Sequence, residues 1–148
     1  MKLHDTVKKR GRLRIVVRRR RDGKIENVID EKNVIVNTGK RQMAHLVAGS
    51  GEDCYVTQMQ FGTGSTPESE SDVTLQSPIT PVKPVTVSFP DLYKVTFQAF
   101  LMDDEAVGFT LCEAGLLTGS DVLVARKVHA GLDKDDEHIF EYNWTIEF

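Results

Sequence analysis

The residues whose types and spacing could do chemistry lie first in Gln60-Phe61-Gly62-Thr63-Gly64-Ser65-Thr66-Pro67-Glu68-Ser69. Two glycines flanking a threonine, followed by hydroxyls and acids, are what a loop needs to bring backbone N–H groups onto a phosphate. The rest of such a site is missing. A Walker-type loop needs Gly-Lys-Ser/Thr after its four variable residues, and no lysine lies between Lys40 and Lys83. A dinucleotide loop needs a third glycine where Pro67 stands, with a helix opening there. The stretch therefore reads as a structural turn made by Gly62, Gly64 and Pro67. Its glycines let a buried strand turn sharply, and Pro67 ends that strand because it has no N–H to give to a ladder.

The other reactive side chains are scattered. Ser65, Ser69, Ser71, Ser77 and Ser88 stand in no nucleophile-elbow context. His4, His45, His129 and His138 fall into no metal-ligand spacing. Cys54 and Cys112 lie far apart among apolar residues and are expected as buried free thiols. Glu105, Glu113 and Asp121 are acids near strand ends, where an acid–base pair could sit. Glu113 is the most informative of them. It lies between Cys112 and Ala114 in an apolar strand, so it is expected to face inward and to take a partner such as Arg126, or backbone N–H groups. These patterns predict no catalytic residue, no cofactor and no metal, and hence a protein that is not an enzyme.

The elements that must position these residues follow from composition and period. A chain of 148 residues, 40% hydrophobic and 28% charged, fits one globular domain. No segment has the apolar length of a membrane span or of a secretory h-region. The net charge of −3 conceals a split: residues 1–24 carry eleven Lys/Arg against Asp5 and Asp22, a net of +9, and the remainder nets −12. Such segregation points to an acidic partner for the basic end. Lys8, Lys9, Arg10, Arg12, Arg14, Arg18, Arg19, Arg20 and Arg21 are the partner-binding candidates. Their first expected partner is an acidic protein surface, including a neighbouring copy. Nucleic acid is the lesser alternative, because no aromatic residue precedes Tyr55 to stack on bases.

Along the chain, residues 1–11 read as a flexible arm. Two extended runs around Arg21-Asp22-Gly23-Lys24 form a hairpin with a type I′ turn. Asn33–Asn37 reads as a third short strand. Thr38 is the expected N-cap of a helix over about residues 39–48, with Gly49 and Gly51 ending it. Tyr55–Phe61 alternates as a half-buried strand. Asp72 is expected to cap a short turn that brings Leu75 onto the core. The segment Pro78–Pro90, with four prolines, is expected as an edge or crossover. Tyr93–Leu101, Phe109–Leu117, Val122–His129 and Ile139–Phe148 are further strands. The last places Phe140, Tyr142, Trp144, Ile146 and Phe148 on one buried face. The sum is a mainly β fold: an antiparallel β-sandwich with one helix, a basic arm and hairpin at residues 1–30, and a compact body at residues 31–148. On this division, removal of residues 1–20 leaves the body folded.

Four stretches in order resemble the attachment-type domain of tailed-bacteriophage fibre, collar and baseplate proteins. They are Asn33-Val-Ile-Val-Asn-Thr-Gly-Lys-Arg-Gln-Met-Ala-His-Leu-Val-Ala-Gly, Met59-Gln-Phe-Gly-Thr-Gly-Ser-Thr-Pro-Glu-Ser-Glu-Ser-Asp-Val-Thr-Leu, Glu113-Ala-Gly-Leu-Leu-Thr-Gly-Ser-Asp-Val-Leu-Val-Ala-Arg and Trp144-Thr-Ile-Glu-Phe. The resemblance covers about residues 33–148, with gaps through 80–107. It implies a virion structural protein, assembled in the host cytoplasm, with a β-sandwich fold and no catalytic residues. The implied partners are other virion proteins and further copies in a symmetric homo-oligomer, a trimer or hexamer-type ring. Two departures, an end at Phe148 without a fibre shaft and the added basic hairpin, point to a tail, collar or baseplate adaptor. A capsid decoration or head–tail joining protein is the alternative.

Overall fold

A computed structural model of the chain describes residues 10–51 and 53–148. Its first two strands, β1 (Arg10–Arg19) and β2 (Ile25–Ile35), form the expected hairpin. β-Branched Ile15, Val16 and Val17 favour the extended backbone there. The turn is not type I′, because of Asp22 and Gly23 only Gly23 takes a positive φ. It is a four-residue loop closed by Arg19 N–H to the Lys24 carbonyl at 2.9 Å and Gly23 N–H to the Arg19 carbonyl at 2.8 Å. The run at residues 33–35 is no separate strand but the end of β2.

The chain continues through helix α1 (Asn37–Ala48), β3 (Val56–Gly62), β4 (Pro78–Pro84), β5 (Thr86–Asp91), β6 (Lys94–Leu101), β7 (Thr110–Thr118), β8 (Leu123–Asp133) and β9 (His138–Glu147). All nine strands belong to one sheet in the order β4-β3-β7-β8-β2-β1-β9-β6-β5, and every neighbouring pair is antiparallel. The sheet curls into a half-barrel. Where the sequence led us to expect two sheets, the structure has two arms of one sheet joined through β2. Only Val34 and Ile35 of β2 pair with β8, while the rest of β2 pairs with β1. The arms face each other across the core, where the rings of Phe61 and Tyr142 lie 4.6 Å apart.

The proline segment is both edge and crossover. β4 and β5 are consecutive in the chain but lie at opposite ends of the sheet. Val85 links them, its N–H donating to the Thr57 carbonyl at 3.1 Å. Lys83 and Glu105 fasten the β4 edge to the loop after β6, at 2.8 Å.

β1 lies inside the sheet between β2 and β9, and Leu13, Ile15 and Val17 belong to the main core. Residues 10–30 thus share one core with residues 31–148, and no boundary falls at residue 30. β9 buries Phe140, Tyr142, Trp144 and Ile146 in the expected alternation. Phe148 does not follow them; it is exposed, held by its N–H to the Tyr93 carbonyl. Tyr55 and Tyr93, expected as the first residues of strands, lie just outside β3 and β6 and are exposed.

The helix begins two residues earlier than expected, with Val36 at the N-cap. Thr38 makes no cap bond. Its hydroxyl instead donates to the Leu123 carbonyl at 2.6 Å, tying the helix to β8. Gly39 lets the two backbones touch: a Cβ there would sit 2.2 Å from the Val124 carbonyl oxygen. Gly49, at φ 64°, ends the helix as a left-handed cap.

Candidate functional site

The residues singled out by their chemistry converge on the carboxylate of Glu113. β7 alternates its side chains, and its register against β3 sets Glu113 opposite Gly62. Glu113 is fully buried, and Arg126 on β8 is nearly so. Arg126 donates to Glu113 Oε2 from Nε at 3.1 Å and from Nη2 at 2.8 Å. Three backbone N–H groups complete the shell: Gly64 and Ser77 donate to Oε1 at 3.2 and 2.7 Å, and Gln76 donates to Oε2 at 3.0 Å. The carboxylate therefore accepts five hydrogen bonds.

This arrangement explains the glycines. Neither Gly62 nor Gly64 has a positive φ, so a sharp left-handed corner is not their role. A Cβ on Gly62 would lie 2.5 Å from Glu113 Oε1 and 2.6 Å from the Ser77 carbonyl oxygen. On Gly64 it would lie 2.6 Å from the same Oε1. The glycines are bare so that backbone can close on a buried charge. Pro67, at the exposed end of this loop, lies beyond the end of β3 at Gly62.

Arg126 reaches further. Nη1 donates to Asp72 Oδ2 at 2.9 Å and Nη2 to the Thr66 carbonyl at 3.0 Å. Asp72 also accepts the Ser69 N–H at 2.8 Å, so it caps its own turn while binding Arg126, and Leu75 beyond it is buried. Burial by itself lowers the Arg126 pKa, but hydrogen bonds to Glu113 and Asp72 outweigh it and hold the guanidinium above its ordinary value. Glu68 extends the network to Lys127 Nζ at 3.2 Å and to the Val128 N–H. Helix α1 joins through the Asn37 N–H, which donates to the Glu70 carbonyl at 2.8 Å. With its oxygens engaged and sealed from water, Glu113 holds the backbone of residues 64, 76 and 77 in place.

Among the described residues the basic candidates are dispersed, and four of them meet acids of the same chain. Lys8 and Lys9 lie outside the described residues, and Arg10 opens β1. Arg12 contacts Asp30. Arg18 meets Glu141 at 3.3 Å, and Arg20 meets Asp103 at 3.3 Å. Arg19 binds Asp22 at 2.5 Å and approaches Glu26 at 3.7 Å. The Arg19 guanidinium holds the Asp22 carboxyl down at about 2. Among the described residues, Arg14 and Arg21 have no carboxylate within ion-pair range. Four of the described candidates thus meet carboxylates of their own chain.

His138 stands between Glu26 at 2.5 Å and Asp135 at 2.6 Å, and hydrogen bonding to Asp135 and then Glu26 raises its pKa. His129 is buried, and burial lowers its pKa. Its Nδ1 lies 2.8 Å from the Ala130 carbonyl, an acceptor, so Nδ1 carries the proton of the neutral ring. Among the described residues no cluster of three or more His, Cys, Asp or Glu is placed to hold a metal ion. Cys54 is buried, while Cys112, expected to be so, is only half-buried. Trp144 packs in the core.

Sequence reasoning did not anticipate the buried ammonium of Lys134. It donates to the Asp135 carbonyl at 2.8 Å and lies 5.7 Å from the centre of the Phe140 ring. No known protein family, characterised protein or solved structure matches the chain.

Proposed function

We propose that this chain is a structural protein of a tailed-phage virion, an adaptor of the tail, collar or baseplate. It binds neighbouring virion proteins and copies of itself and catalyses nothing. One observation carries the reading. Stretches that resemble the phage attachment-type domain lie far apart in sequence, yet they meet at one buried carboxylate. Gly62-Thr-Gly64, the acidic segment through Asp72, the Glu113-Ala-Gly-Leu strand and Arg126 all touch Glu113 or its guanidinium partner.

That convergence gives the motif order a physical basis. A fastening of this kind, together with Leu75 packed against Val36, Leu117 and Leu123, fixes the long 62–78 connection and leaves other strands and loops free for contact with neighbours. Hydrogen bonds to a buried charge are directional, so they hold one loop conformation. A part that must present a fixed surface to several partners needs that rigidity.

The test is composition and position. Mass spectrometry of purified particles should find the chain in fixed proportion to the other virion proteins, and antibody labelling should place it at the tail end. Labelling spread over the capsid would favour the decoration reading, and absence from particles would end both.

A further inference from the structure

We propose that the open end of the half-barrel is a self-association surface on which a second copy of this chain docks across a two-fold axis, β5 edge to β5 edge. Exposed apolar residues adjoin the filled core at one end of three neighbouring strands. Beyond Trp144 and Ile146 of β9 stands Phe148. Beyond Phe97 and Val95 of β6 stands Tyr93, and on β5 Val87 pairs with Phe97, while Phe89 lies at the register shift between Ser88 and Asp91. Nothing in the chain's described residues covers this end. Val87 is 50% exposed, and Phe89, Leu92, Tyr93 and Phe148, at 77%, 91%, 67% and 53%, line a cleft of about 260 Å³.

The area is that of an interface. At roughly 150–250 Å² for a whole aromatic side chain, these residues leave on the order of 600 Å² of apolar surface open. That is the upper end of the largest patch on an ordinary monomer, and near the roughly 800 Å² that each partner buries in a standard complex.

The sheet edges choose the occupant. β5 is the last strand of its arm, so alternate N–H and C=O groups on its outer side lack a ladder partner. The opposite edge, β4, carries Pro78, Pro81 and Pro84, which withhold donors and block strand addition. Thr86 to Phe89 of β5 contain no proline. A head-to-tail contact of β5 on β4 is therefore disfavoured, and β5 against β5 is the remaining edge pairing between copies. Antiparallel pairing of identical strands is isologous and closes as a dimer. This surface does not depend on the chain belonging to a virion.

The test is the mass of the purified full chain by sedimentation equilibrium across the micromolar range. The expected result is a dimer. Phe89→Asp with Leu92→Asp should give a monomer, with the fluorescence of Trp144 and the urea midpoint unchanged. Leu92→Asp alone, at a fully solvated position, should raise the dimer dissociation constant about thirty-fold, and it decides the matter if the double variant fails to fold. A wild-type monomer throughout the range would overturn the proposal, as would a dimer indifferent to both variants. A chain that dimerises only after residues 1–9 are removed would also overturn it, since those residues would then be the occupant of the patch.

Discussion

Replacing Arg126 with leucine tests the fastening at Glu113 where it is most exposed to failure. The change removes both guanidinium bonds to Glu113, the bond to Asp72 and the bond to the Thr66 carbonyl. Asp72 is partly exposed and regains water, so its loss counts for little. Glu113 cannot do the same. It stays buried with three backbone donors and no counter-charge, and breaking one side of a buried pair costs about 3–5 kcal/mol. A domain of this size has about 5–15 kcal/mol in all, so the variant should remain folded only narrowly. The melting temperature should fall by roughly 6–20 °C, at about 2–4 °C per kcal/mol. Urea denaturation followed by Trp144, the single tryptophan of the chain and fully buried, reads this directly. The midpoint should move with little change in slope. Adding Glu113→Leu should not restore stability, because the N–H groups of Gly64, Gln76 and Ser77 would then be buried without acceptors. A loss below about 1 kcal/mol for Arg126→Leu, the range of an exposed ion pair, would refute the fastening.

Other perturbations follow from the same geometry. Gly64→Val, and equally Gly62→Val, places a Cβ within 2.6 Å of Glu113 Oε1 and should yield insoluble or unfolded protein; a soluble variant with a native urea midpoint would show that the loop does not close on the carboxylate. Gly39→Ala should destabilise the protein despite the better helix propensity of alanine, because its Cβ would meet the Val124 backbone; a raised melting temperature would contradict that contact. Removal of residues 1–20 takes out the interior strand β1 with Leu13, Ile15 and Val17, so the product should lack a cooperative urea transition, and a two-state transition would show the hairpin dispensable. His138 has a folded pKa raised above 6.5, so its contribution to stability is present below 6.5 and lost as pH rises through the raised value. His129, lowered by burial, acts in the opposite sense: its contribution is present above 6.5 and lost as pH falls through the lowered value. His138→Gln should therefore remove the decline in urea midpoint on the alkaline side of 6.5, and a profile identical to wild type would count against the Glu26–His138–Asp135 contact.

The elements were legible wherever period and turn chemistry spoke locally. The alternation Phe140-Tyr142-Trp144-Ile146 gave β9, and Gly49 gave the end of the helix. Glu113 was legible because an acid in an apolar strand has few ways to be satisfied, and Arg126 lies on the adjoining strand. Pairing order was not legible. That β1 sits at the sheet centre depends on contacts with β9, more than a hundred residues away, and its arginines made it look peripheral. Those arginines lie on the outward face or at the turn, while Leu13, Ile15 and Val17 alternate inward; the alternation was the better signal than the charge. Thr38 looked like a cap because its hydroxyl suits one, but β8 offers the Leu123 carbonyl instead. The exposed apolar end escaped notice for the same reason: Phe89, Tyr93 and Phe148 have the pattern of core residues, and only the curl of the sheet decides where the core stops.

The central claim, that this chain is a virion adaptor, is tested most directly by reconstructing the tail and collar of purified particles by electron cryo-microscopy and fitting this fold into the density. The expected result is a nine-stranded half-barrel at symmetry-related positions near the tail, with its surface against neighbouring proteins. Density at the tail, collar and capsid fully explained by other chains, with this chain recovered only from the soluble host fraction, would contradict it.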